Sequence, residues 1–149
     1  MTSILATFVC GILLMVGLIH VYWAAGGTWP GTDDESLAKT VVGSNGIKAM
    51  PPRWITTLVS ICILIAAILP LAWLGWIYIP LPSWILTVAM IVLTLIFLAR
   101  GIGGFIPAIK KMNSEEPFAT LDARYFSPLI IAVGLALLNI LVFNFSGAQ

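Results

Sequence analysis

The chain has 149 residues, 60% of them hydrophobic and only 9% charged, whereas a water-soluble domain carries about 25% charged residues, so this surface is not built for water. Its net charge is +1 and it has no basic run with interleaved aromatics, which excludes a nucleic-acid partner. One His and two Cys lack the spacing of a ligand set, so neither a metal nor any other cofactor is expected.

Four stretches reach the roughly 18 nearly charge-free apolar residues needed to cross the hydrocarbon of a bilayer as helix: 3–24, 54–74, 84–104 and 128–145. The fold class expected is all-α, a four-transmembrane-helix bundle forming one integral membrane domain over 1–149, with short interfacial helices in its two long loops.

The first run has no basic n-region, is too long for a signal sequence and is followed by no small-residue cleavage pattern, so it reads as a retained span. Along it Ser3, Ala6, Cys10, Leu13, Gly17, His20 and Ala24 repeat at alternating three-four spacing. That seam predicts His20 facing into the bundle, because helix contacts in lipid are made by small and polar residues. The loop that follows contains TWPGTDDESLAKT, where Thr32 and Glu35 stand at capping-box spacing and predict an interfacial helix over 33–40. The run Ser44-Asn45-Gly46 predicts a turn, and Met50-Pro51-Pro52 stops any helix before the second run.

The second run carries Arg53, Thr56, Ser60, Ala67 and Pro70 on one face, and the third carries Ala89, Arg100 and Gly104. In the second long loop Phe118, Leu121 and Tyr125 at i, i+3 and i+7 predict a short helix ahead of Pro128. The fourth run places Tyr125, Ala132, Ala136 and Asn139 on its inward face. Cys10 and Cys62 are estimated to differ in depth by about 10 Å, too far for a disulfide.

All seven Lys and Arg lie in or beside the loops 25–53 and 105–127, and none lies on the opposite side. The positive-inside rule therefore predicts both termini outside the cytoplasm. His20 and Arg100 each sit roughly 6 Å inside the long-loop ends of their helices, with Arg53, Asp122, Arg124 and Tyr125 just above, which predicts one polar cluster at the cytoplasmic mouth.

Arg100 stands in a span where an arginine costs about 2.5–3.5 kcal/mol at the hydrocarbon centre. It either snorkels to the headgroups or forms an anion site for a lipid phosphate, a carboxylate ligand or Asp122 folded down from the loop. His20 is either a hydrogen-bonded structural residue or an acid, base or proton relay. Trp23 and Trp29, like the other four tryptophans, fall near helix ends, where an aromatic belt is the plain reading.

The motifs HVYWAAGGTW at 20–29, AMP at 49–51, ARGIGGF at 99–105 and FATLDARYFSPL at 118–129 occur in an order that resembles the bacterial membrane proteins grouped as domain of unknown function 3995. The resemblance covers nearly the whole chain. It departs in the first loop, where the stretch from Pro30 through TDDESLAKT is longer and more acidic than the family's short link. The resemblance implies the four-helix layout and marks His20, Trp23, Gly26, Gly27, Trp29, Arg100, Gly103, Gly104, Asp122, Tyr125, Ser127 and Pro128 as motif positions. It implies no activity.

The reading preferred from the sequence is a bacterial inner-membrane protein whose cytoplasmic-side pocket holds an anionic lipid headgroup or similar amphiphile. Its ligand-binding residues are expected among His20, Trp23, Trp29, Arg53, Arg100, Asp122, Arg124 and Tyr125. Membrane lipids are its expected partners, beside a possible homo-oligomer. One rival is an intramembrane enzyme with His20 as acid or base and Arg100 binding a charged substrate. The other is a small proton-coupled transporter, disfavoured because no Asp or Glu lies within a span.

Overall fold

The computed structural model describes residues 2–147, and the side chains of 2–143. The described residues form helices and turns without strands: α1 (Thr2–Ala24), α2 (Asp34–Val41), α3 (Arg53–Trp73), α4 (Ser83–Gly103), α5 (Pro107–Met112), α6 (Phe118–Leu121), a π-helical segment (Asp122–Phe126) and α7 (Ser127–Gly147). Four helical runs are long and apolar enough to cross a membrane, namely Thr2–Ala24, Arg53–Trp73, Ser83–Gly103 and Phe118–Phe143. The first three begin one residue before the runs read from the sequence. The fourth begins ten residues early, because helix continues from α6 through the π segment into α7 instead of stopping before Pro128.

The long helices are arranged as two close pairs, α1 on α3 and α4 on α7, joined through α1–α7 and α3–α4. α1 and α4 therefore stand at opposite corners. The core is a column of Ala6, Val9 and Leu13 from α1, Ala66 and Ala67 from α3, Met90 from α4, and Val133, Leu137 and Ile140 from α7. Small residues set the closest approaches. Ser60 Oγ donates to the Gly17 carbonyl at 3.2 Å, and a side chain on Gly101 would meet the backbone of Ile131, so α4 and α7 touch main chain to main chain.

The four expected faces need correction in part. On α4 the buried positions are Met90, Thr94, Gly101 and Gly103, while Ala89 is half-buried and Arg100 exposed. Gly104 is buried as expected, and the rest of the seam beside Met90 is made of the small residues Thr94, Gly101 and Gly103, on a stripe neighbouring the expected one. On α7 the core takes Val133, Ala136, Leu137 and Ile140, leaving Ala132 exposed and Asn139 half-buried. Ser3 and Arg53, in the first turns of their helices, are exposed, where the helix end runs past its partner.

The two long loops clasp each other over one end of the bundle. Asn45 N–H donates to Met112 O at 2.9 Å and Glu115 N–H to Gly43 O at 3.2 Å, while Gly46 N–H donates to Glu115 Oε1 at 2.8 Å. α2 rests on α6 beneath this clasp. Its cap is not the expected Thr32–Glu35 pair. Asp33 is the N-cap, accepting from Ser36 N–H at 2.7 Å, and Asp33 N–H donates to Ser36 Oγ at 3.0 Å. A serine is short enough to reach back to the cap backbone, which leaves Glu35 free to pair with Lys39 at 2.6 Å.

Candidate functional site

The site begins at the π segment. Ser127 N–H bonds back to Asp122 O, five residues away, so one extra residue is accommodated in the turn before Pro128. A proline supplies no N–H, and the helix needs this looser turn to pass it without a clash. The extra residue rotates everything upstream. Asp122 becomes buried and Tyr125 is left 59% exposed, which overturns the expected Phe118, Leu121 and Tyr125 stripe. Phe118 instead packs on Phe126, with ring centroids 6.0 Å apart.

Asp122, turned inward, meets the end of α4. Its Oδ1 accepts from Arg100 Nη2 at 2.7 Å and its Oδ2 accepts from Ser127 Oγ at 3.0 Å. Arg100 Nη1 donates to the same hydroxyl at 3.3 Å, closing a three-residue ring. The carboxylate is almost covered, at 10% exposure, while the arginine side chain keeps 43%. Gly104, the C-cap of α4, makes room for the ring, since a Cβ there would overlap Ser127 Oγ. Of the alternatives open for Arg100, the partner in the structure is Asp122.

A groove of about 390 Å³ opens beside this ring. One wall is the end of α4 with Ala99, Arg100 and Gly103, and the opposite walls are Val41 and Val42 at the end of α2, Ile109 and Lys110 from α5 with its C-cap Asn113, and Phe118, Ala119 and Asp122. Its ionisable lining is Arg100, Lys110 and Asp122, two cations and one anion. The ring uses two of the five guanidinium donors, and the half-exposed Arg100 borders the groove with the remainder. Lys110 stands 6.0 Å over the Phe105 ring.

The other sequence-derived candidates lie elsewhere. His20 donates from Nδ1 to Val16 O at 2.7 Å, a carbonyl being able only to accept, and its ring sits 4.8 Å from Trp23. Trp23 Nε1 donates to Trp29 O at 2.7 Å, and Trp29 N–H to Tyr22 Oη at 3.4 Å. Arg53 lies across from Gly26. These residues gather at the α1–α3 corner as a tie between the helix end and the following loop. His20 and Arg100, expected in one pocket, are on helices at opposite corners, and His20 is not in the groove lining. Arg124 and Tyr125 are exposed and also outside the lining.

Sequence reasoning missed Lys110 and Asn113 as wall residues and Ser127 as the third member of the ring. A signal for Ser127 was present: a hydroxyl five residues after an aspartate and directly before a proline suits a π turn.

The family described as protein of unknown function (DUF3995) matches residues 13–137, a span that contains the ring, the groove and the α1–α3 corner, and the chain belongs to that family. No curated protein and no solved structure matches it.

Proposed function

We propose that this member of the DUF3995 family binds the headgroup of an anionic amphiphile, a membrane lipid, in the groove beside Arg100. The observation that carries the reading is a half-exposed guanidinium, fixed by Asp122 and Ser127, on the wall of a cavity that also holds Lys110 and six apolar or small side chains. A fixed planar fork with donors to spare suits a phosphate or carboxylate, and the apolar walls suit the first carbons of a chain. The protein sits in the bacterial inner membrane with the groove on the cytoplasmic side and both termini periplasmic, in keeping with the seven-to-none distribution of Lys and Arg. Its role is in lipid or envelope homeostasis.

The enzyme reading relied on His20 and Arg100 acting on one molecule, and their separate corners remove that support. The test is native mass spectrometry of the detergent-extracted protein. Wild type is expected to retain anionic lipid, Lys110→Glu to lose most of it, and Lys111→Glu, one position away and outside the groove lining, to keep it. Equal loss in both variants would mean general surface attraction and would sink the reading.

A further inference from the structure

The groove's charge balance allows its ligand to be defined more narrowly than an anion. Resting on the binding role proposed above, we infer that the site selects a lipid whose headgroup carries a single negative charge on a phosphodiester, and discriminates against phosphomonoesters. The ionisable lining is Arg100 and Lys110, both positive, and Asp122, negative, leaving one net positive charge. Asp122 cannot be discounted as a distant charge, because it touches Arg100 at 2.7 Å and is nearly covered by protein. Both its oxygens are already engaged, one by Arg100 and one by Ser127, so it asks for no donor from a ligand and stays in place beside Arg100.

A singly charged phosphodiester entering this groove brings the site to neutrality. A doubly charged monoester would leave one negative charge uncompensated between apolar walls and beside a fixed carboxylate, and an unmatched charge in a desolvated place is costly. The walls also distinguish a lipid from a soluble phosphate. Val41, Val42, Ile109 and Phe118 offer nothing to a free ion. The groove reaches down α4 from Gly103 to Ala99, about 6 Å of helix, which is the depth at which a headgroup gives way to its chains.

The experiment uses the full chain in phosphatidylcholine nanodiscs containing equal small fractions of phosphatidylglycerol, a phosphodiester, and phosphatidic acid, a phosphomonoester. The lipids that stay bound are counted by native mass spectrometry. At pH 8 the wild type is expected to enrich phosphatidylglycerol over phosphatidic acid by up to about fivefold, the return of an ion pair at a half-exposed site. At pH 5 the difference should close, since a phosphomonoester with its second pKa about 6 then carries one charge. Asn113→Lys adds a second net positive charge at the wall and should shift retention toward phosphatidic acid at pH 8, whereas Ser114→Lys, which adds the same charge at an exposed position outside the groove lining, should leave the wild-type order. Soluble glycerophosphoglycerol should fail to displace the lipid.

Retention of both lipids with phosphatidic acid equal or ahead at pH 8 overturns the single-charge inference while leaving anion binding intact. Displacement by the soluble headgroup at equal concentration overturns the commitment to a lipid. Absence of any retained anionic lipid sensitive to Lys110→Glu is a different result, and removes the binding role on which this inference stands.

Discussion

At Arg100 the burial of charge is shared between two groups of different exposure, and the consequences of cutting the pair are therefore unequal. Asp122 is the covered member and Arg100 the half-exposed one. Arg100→Leu leaves a covered carboxylate with only Ser127 for company, and is expected to lower stability by about 3 kcal/mol, the range for breaking a covered pair. Asp122→Asn keeps an acceptor for Arg100, whose charge can still reach solvent, and should cost less. The order of the two detergent melting temperatures checks this, and the reverse order would show that the arginine is the covered member. Gly104 gives a second prediction at the same scale. Gly104→Ala must push Ser127 Oγ aside and should cost about 1–3 kcal/mol as overpacking. Gly11→Ala, in a helical position with open space around it, should be neutral or gain up to about 1 kcal/mol from helix propensity.

The long helices were legible because their signal is composition over some twenty residues, which one misplaced side chain cannot erase. Faces and local turns depend on single residues, and there the reading slipped. The Thr32–Glu35 pair has capping-box spacing, yet Ser36 reaches the cap backbone and Asp33 takes the role. The stripe through Tyr125 assumed 3.6 residues per turn, and one π turn at Asp122–Phe126 was enough to bury Asp122 in place of the aromatic. The position of Arg100 alone left it between snorkelling and an anion partner, with Asp122 one of the candidates, whereas the choice of Asp122 required the π turn, and the distance of His20 required the pairing of helices. The α2 cap offers a test. The bonds from Ser36 hold the Asp33 carboxyl below its ordinary value. A carboxylate with a depressed folded pKa stabilises above its unfolded pKa, and that help fades as pH falls through the folded one. The hydrogen-exchange protection factors of the Ser36 and Leu37 amides, taken relative to the intrinsic rate at each pH, should fall on acidification through that window in wild type. In Asp33→Ala the protection factors at the same amides should be low throughout and show no such step.

At the scale of the whole molecule, the groove has meaning only if the clasped loops face the compartment where anionic headgroups and the basic residues meet. The two long loops are bonded to one another at one end of the bundle, so they must share a side. The turn between α3 and α4 leaves from the other end, because α3 runs back from the clasp and α4 returns to it. Every Lys and Arg belongs to the clasped end or to the last turn of α4 beneath it, and the proposed orientation, with that end in the cytoplasm, follows from the cost of carrying such charges across during insertion. Tyr78 lies in the short turn and is 88% exposed, and Ser114 lies at the clasp and is exposed. Cys10 and Cys62 are free thiols within the apolar helices, so both are first replaced by alanine to remove background. In intact cells a membrane-impermeant thiol reagent should then label Tyr78→Cys and spare Ser114→Cys, and permeabilisation should bring Ser114→Cys up to the same level. The opposite pattern would put the groove on the periplasmic side, and with it the lipid leaflet from which any headgroup could enter.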